Sequence, residues 1–369
     1  MFSELATKHA EACRFCWMCR HLCPIGLVTG KEANTPRGKG LLVSMYERGF
    51  DMDSNMAEIM YECLLCYSCV DDCKTGFEPP IFIREGRTEA VINDLVPPYV
   101  QRVIDAIAKT GNMFGRPHGE KWRGLGEEIK DLPENAEVLL YVGNTAAFET
   151  PHIARAVMSL LKKAGISFTV LKDEPGTGIE LGDLIGFVEE VRAMAKVCAD
   201  AINRTGAETV VVLDSYDAVC LKHEYPRWGC ELEAEVVTAT SFLAQLVKAG
   251  KLEFNKSGTT VTYHDGARLA RNLYEHESAR ELLAAVGAKL EEMFLNRNLA
   301  KDCGNELVSR YHPELMHATA KARWVEAQQT GASVLITACP QSYSVLSRVK
   351  PESMELKDIF ELLNEHVAL

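Results

Sequence analysis

Two runs of cysteine carry the strongest chemical signal in the sequence. The first is Cys13-x-x-Cys16-x-x-Cys19-x-x-x-Cys23-Pro24, and the second is Cys63-x-x-Cys66-x-x-Cys69-x-x-x-Cys73. Three cysteines at two-residue gaps can curl round one [4Fe–4S] cube, while the fourth is turned away. In two-cluster ferredoxins that fourth cysteine ligates the other cube. The spacing therefore assigns Cys13, Cys16, Cys19 and Cys73 to one cluster, and Cys63, Cys66, Cys69 and Cys23 to a second. Such crossed ligation ties the motifs together and makes folding depend on the metal. The competing chemistry is structural zinc, which uses paired Cys-x-x-Cys or Cys/His sets and four tetrahedral ligands. The duplicated three-plus-one spacing and Pro24 favour iron–sulfur. Lys74 stands where a proline would follow Cys73, a departure that leaves the ligands untouched.

The elements that position these ligands are read from the intervening chain. Thirty-nine residues separate Cys23 from Cys63, and the apolar spacing of residues 41–49 and 56–66 predicts helices there. Trp17, Met18, Leu64, Leu65 and Tyr67 interleave with the cysteines and are expected to form a dry jacket. Arg37 and Lys39 could supply hydrogen bonds or docking charge, or lie on a solvated loop. Residues 1–95 thus read as a helical iron–sulfur unit. The Gly- and Pro-rich stretch 96–135 reads as a linker that wraps rather than packs.

From Glu137 the chain repeats itself with an offset of about 120 residues. Residues 138–142 and 261–263 start the two copies as strands, and 152–165 and 278–287 follow as helices. Buried strands at 210–212 and 334–336 match in turn, and each copy closes on a helix, 240–250 and 357–367. The expected fold class is α+β multidomain: the helical domain, then two α/β domains with parallel sheets at 136–255 and 256–369.

Composition narrows the function. A net charge of −12 over 369 residues argues against nucleic acid as a partner. No apolar run reaches membrane-spanning length, and the N-terminus lacks a basic-then-apolar leader. Eight of thirteen cysteines crowd into residues 13–73, which suits metal in a reducing, cytoplasmic setting rather than a disulfide scaffold. No Walker loop, GxGxxG fingerprint or Ser/His/Asp arrangement is found, and no flavin or nicotinamide site is expected on this chain. His21 and His312 stand alone and read as structural, and no catalytic residue is assigned.

The segments CRFCWMCRHLCPIGLVTGKEANTPRGKGLLVSMYERG and YECLLCYSCVDDCKTGFEPP resemble the helical-ferredoxin domain of the glycolate oxidase and heterodisulfide reductase iron–sulfur subunits. The same domain occurs in the iron–sulfur subunit of anaerobic glycerol-3-phosphate dehydrogenase. The resemblance extends through GNMFGRPHGEKW and both α/β copies, which correspond to cysteine-rich "CCG" domains able to carry a further, unusual cluster. It implies an electron-transfer subunit with a flavoprotein partner, either a 2-hydroxy-acid dehydrogenase or an electron-transfer flavoprotein. It also implies a downstream acceptor protein or quinone pool, and peripheral attachment to the inner membrane face through partners. The alternative is a heterodisulfide-reductase-like catalytic subunit with a residual site in the second copy.

The copies here have lost most family cysteines. In copy one the family positions read Asn144, Asp173-Glu174-Pro175-Gly176-Thr177-Gly178 and Asp214-Ser215-Tyr216-Asp217. In copy two they read Asp265-Gly266-Ala267-Arg268, Asp302-Cys303-Gly304 and Cys339-Pro340-Gln341-Ser342. Carboxylates are poor substitutes for thiolates on an iron–sulfur cluster, so no third cluster is expected. Asp214 and Asp217 are read as helix-capping residues, with a hard cation as the other option. Cys303 and Cys339 are read as an inherited, inert pair, and Cys198, Cys220 and Cys230 as ordinary thiols. His264, Asp265 and Arg268 follow a strand, where open α/β sheets place ligands.

Overall fold

Proline and short polar side chains set the helix starts in the N-terminal half. The computed structural model describes residues 2–368, so both terminal residues of the expected domain ranges lie outside it. Helices begin at Pro24, Pro36, Pro79 and Pro98, where the missing N–H costs nothing. Thr35 and Asp53 cap their helices by accepting from Gly38 N and Met56 N, at 3.1 and 2.8 Å. Gly38 is required there: a Cβ would lie 2.2 Å from the Glu32 carbonyl. The helix over 56–66 is shorter than expected, Ser54–Tyr61, so the second cysteine motif starts in a loop.

The α/β half holds two four-stranded parallel sheets of identical topology. The first has β1 (Val138–Tyr141), β2 (Phe168–Thr169), β3 (Thr209–Val212) and β4 (Glu235–Thr238), in the order β2-β1-β3-β4. The second has β5 (Thr260–Tyr263), β6 (Lys289–Leu290), β7 (Val334–Thr337) and β8 (Glu355–Asp358), in the order β6-β5-β7-β8. The central pairs align Tyr141 with Val212 and Tyr263 with Ile336. In each sheet the strand order reverses at the two central strands, so the carboxyl ends of β1/β3 and β5/β7 are the places for a ligand.

Strand alternation divides the core in two. Val138, Leu140, Val211, Val261, Val334 and Ile336 join a cluster between the repeats. Leu139, Tyr141, Val210, Val212 and Leu335 face a second cluster shared with the helical half. Helix Pro151–Lys163 packs on Ile359–His366, and Ala239–Lys248 on Ser278–Ala285, so the repeats lie against each other. Part of the linker also packs: Pro98–Thr110 is a helix burying Val100, Val103 and Ile107. Its apolar stripe has helical period, a signal that outweighs the flanking glycines and prolines.

Candidate metal centre

Both cysteine motifs adopt the same unusual backbone. Phe15 and Trp17 in the first, and Leu65 and Tyr67 in the second, have φ of 54°, 70°, 50° and 61°. These are large side chains in the left-handed region, which is unfavourable unless the surroundings impose it. The turns aim amides at sulfur: Phe15 N lies 3.4 Å from Cys13 Sγ, and Leu65 N lies 3.4 Å from Cys63 Sγ. Gly26 N, in the helix that Cys23 caps, approaches Cys23 Sγ at 3.4 Å. Amide-to-sulfur contacts of this kind stabilise thiolates and tune the potential of a cluster.

Cys23 is brought to the second motif, not its own. One cavity has Cys23, Cys63, Cys66 and Cys69 in its wall, with Leu64, Leu65 and Ile83 supplying apolar surface. Its four sulfur donors and dry lining fit a [4Fe–4S] cube in chemistry. Cys19 is the counterpart on the other side, feeling the charges of Cys13, Cys16 and Cys73. Burial first, then like charge, pushes the Cys19 thiol up to about 11. Burial pushes Cys23 up to about 12 against the pull of the Lys39 ammonium. Thiols crowded this way do not ionise unaided, so a cationic iron core is what would hold them as thiolates.

The two quartets differ in exposure. Cys16 is exposed, as are Trp17 and Met18. The expected jacket is therefore confined to the second motif, where Leu64 and Leu65 are buried and Tyr67 is partly so. Lys39 is buried, not solvated, and donates to the Asn34 carbonyl at 2.8 Å in the cavity wall. Arg37 stacks on the Trp17 ring with its guanidinium carbon 4.0 Å from the centroid. His21 is exposed, and His312 sits 3.7 Å from Glu62.

At the carboxyl ends of the two sheets stand buried polar and charged side chains. In the first repeat Lys121 pairs with Glu174 at 2.9 Å, both fully buried, and Glu174 also accepts from Val142 N and Gly143 N. Asp214 caps the next helix by accepting from Tyr216 N at 2.9 Å, and Asp217 accepts from Thr177 Oγ1 at 2.6 Å. Burial raises both carboxyls, Asp214 to about 7 and Asp217 to about 8. In the second repeat Asp265 is paired with Arg280 at 2.8 Å. Cys339 accepts no metal-like set of neighbours; Ser215 Oγ approaches its sulfur at 3.2 Å, and burial pushes it up to about 12. Cys303 is raised too, by burial first, so both are protonated, weak nucleophiles at neutral pH. Cys198, Cys220 and Cys230 are buried.

Sequence reasoning missed three buried or half-buried arginines, two of which join the halves. Arg84 pairs with Asp183 at 2.9 Å, and Arg271 Nε donates to the Cys66 carbonyl at 2.5 Å. Arg323, in the middle of helix Pro313–Gln328, donates to His264 Nδ1 at 3.1 Å. The sole hint in the sequence was Arg271, three residues past Arg268, which places both on one turn.

Residues 9–77 match the 4Fe-4S dicluster domain family, and residues 261–347 match the cysteine-rich domain family. The chain is similar to one subunit of the dihydromethanophenazine:CoB--CoM heterodisulfide reductase of Methanosarcina barkeri. The two are 25% identical over 97% of this chain and 94% of the relative. It is also similar to EtfAB:quinone oxidoreductase of Syntrophomonas wolfei, 27% identical over 71% of this chain and 38% of the relative. Among solved structures, glutamate racemase RacE1 of Bacillus anthracis aligns over 62% of this chain and 78% of its own. Its TM-score of 0.30 and identity of 14% are too low to carry an argument. The chain thus contains a 4Fe–4S dicluster domain and a cysteine-rich domain, and is similar to iron–sulfur proteins of multi-subunit oxidoreductases.

Proposed function

We propose that this chain is an electron-transfer subunit that holds two [4Fe–4S] clusters and relays electrons between a flavoprotein partner and a downstream acceptor. Cys13, Cys16, Cys19 and Cys73 would hold the outer cluster, and Cys63, Cys66, Cys69 and Cys23 the inner one. Bound there, the clusters supply reversible one-electron chemistry. The observation that carries the reading is the placement of Cys23 in one cavity wall with Cys63, Cys66 and Cys69.

The remaining work falls to the chain's own residues. Exposed Cys16, Trp17 and Met18 give the outer quartet a face that a redox partner can approach. Buried Leu64, Leu65 and Ile83 exclude water from the inner quartet. The donor is a 2-hydroxy-acid dehydrogenase or an electron-transfer flavoprotein, and the acceptor a protein or quinone. The names of the M. barkeri and S. wolfei relatives support exchange with such carriers. Among the described residues no helix is long and apolar enough to cross a membrane, so membrane contact would come through partners, on the cytoplasmic side. The raised Cys303 and Cys339 thiols give a heterodisulfide-reducing reading little support.

The test is anaerobic reductive titration of the intact chain. The expected result is reversible bleaching of broad absorbance around 400 nm with about two reducing equivalents per chain. A chain that takes up no electrons while retaining its metal would overturn the reading.

A further inference from the structure

We propose that the carboxyl end of the second sheet is a binding site for a small oxyanion. Four side chains lie in this region, each no more than 2% exposed: His264, Arg268, Arg271 and Arg323. Each is anchored at one end and idle at the other. Arg268 Nη2 donates to Asp183 at 2.7 Å, while its Nε and Nη1 have no partner. Arg271 Nη1 donates to the Ala300 carbonyl at 2.6 Å, while Nη2 has no hydrogen-bond partner. Arg323 Nη1 donates to Glu326 at 2.7 Å, and Nη2 is idle. His264 Nδ1 accepts from Arg323 Nε, so its proton is on Nε2, which is also idle.

All five idle nitrogens are donors, and native interiors rarely leave buried donors unmet. The guanidiniums share one neighbourhood, since all three act on the Asp302 carboxyl. Arg271 and Arg323 both also act on His264. Carboxylate charge falls short. Asp183 already answers Arg84 at 2.9 Å, and Glu326 answers Lys301 at 2.5 Å. That leaves Asp302, whose Oδ2 stands 3.9 Å from Arg271 Nη2 and itself lacks a hydrogen bond, and Asp71, which also acts on Arg271. A cavity of about 240 Å³ between helices Pro24–Thr29 and Pro313–Gln328 has Asp302 and Arg323 in its wall, with exposed Leu27 at its edge.

An iron–sulfur cluster does not fit this set. Cationic nitrogens cannot ligate iron. An anion with two or more acceptor oxygens does fit, because arginine pairs such groups in forked geometry. The class covers carboxylates and tetrahedral oxyanions. The site adjoins the inner quartet, because Arg271 also holds the Cys66 carbonyl.

The experiment uses the anaerobically purified chain with its clusters, titrated at constant ionic strength with acetate, sulfate or phosphate while melting is followed. At saturation, at least one anion should raise the wild-type Tm by about 3 °C or more. Arg323→Gln should lose that rise, and Asp302→Asn, which removes the competing carboxylate, should bind several-fold more tightly. If Arg323→Gln does not fold, the direction of the Asp302→Asn change decides alone. Three results would overturn the proposal: no saturable rise in wild type, an equal rise in wild type and Arg323→Gln, or no gain in Asp302→Asn. The acetate arm separates planar carboxylates from the tetrahedral ions.

Discussion

The two halves of this chain reach order by different routes. In the helical half, eight cysteines impose left-handed backbone on Phe15, Trp17, Leu65 and Tyr67, and the hydrophobic contacts are threaded around sulfur donors. In the α/β half, order rests on paired parallel strands and a continuous apolar cluster between the repeats. The difference teaches where each half tolerates change. The repeats share one topology with five scattered cysteines between them, whereas the helical half gathers eight cysteines into two motifs of identical spacing.

The largest test of the contrast is removal of metal. Chelation under mild acid should unfold the segment around residues 13–77 and leave the repeats structured, because strained turns lose what imposes them. Limited proteolysis read by mass spectrometry would check it: early cuts belong before residue 95, with a fragment from about residue 136 persisting. Simultaneous cleavage throughout would erase the distinction.

Next in size is Lys121→Met. Lys121 and Glu174 are both fully buried, so removing the ammonium strands a carboxylate and should cost about 3–5 kcal/mol in denaturant unfolding. Converting Glu174 to leucine as well should restore much of the loss. Leu140→Ala, in the cluster between the repeats, should cost about 2–5 kcal/mol while leaving iron content unchanged. A fall in iron with that variant would show that the halves are not separable.

The smallest effect is with pH. Asp214 and Asp217 have carboxyls raised by burial, to about 7 and about 8. A raised acid binds its proton more tightly when folded, so the stability it contributes is lost as pH climbs from about 4 towards 8. Tm of wild type should fall across that window, and less steeply in Asp217→Asn, which still accepts from Thr177. Parallel curves would mean that Asp217 is ionised throughout.

Legibility in the sequence followed the same divide. The cysteine spacing pointed to Cys23 as a partner for the second motif, because ligand geometry is written in short local gaps. The repeats were readable from β-branched runs, since parallel strands are buried on both faces. Exposure was not: Trp17 and Met18 look like core residues and lie at the surface. The buried arginines were invisible for the opposite reason. Arg323 sits in a helix whose sequence reads as an ordinary polar face, and its burial is decided by His264, 59 residues away in sequence.

The most direct measurement is iron and acid-labile sulfide per intact chain, compared between wild type and Cys23→Ser. Interleaved quartets call for about eight irons in the first, and about four in the second if the inner cube is lost. Four or fewer irons in folded wild-type protein, or zinc in their place, would contradict the account.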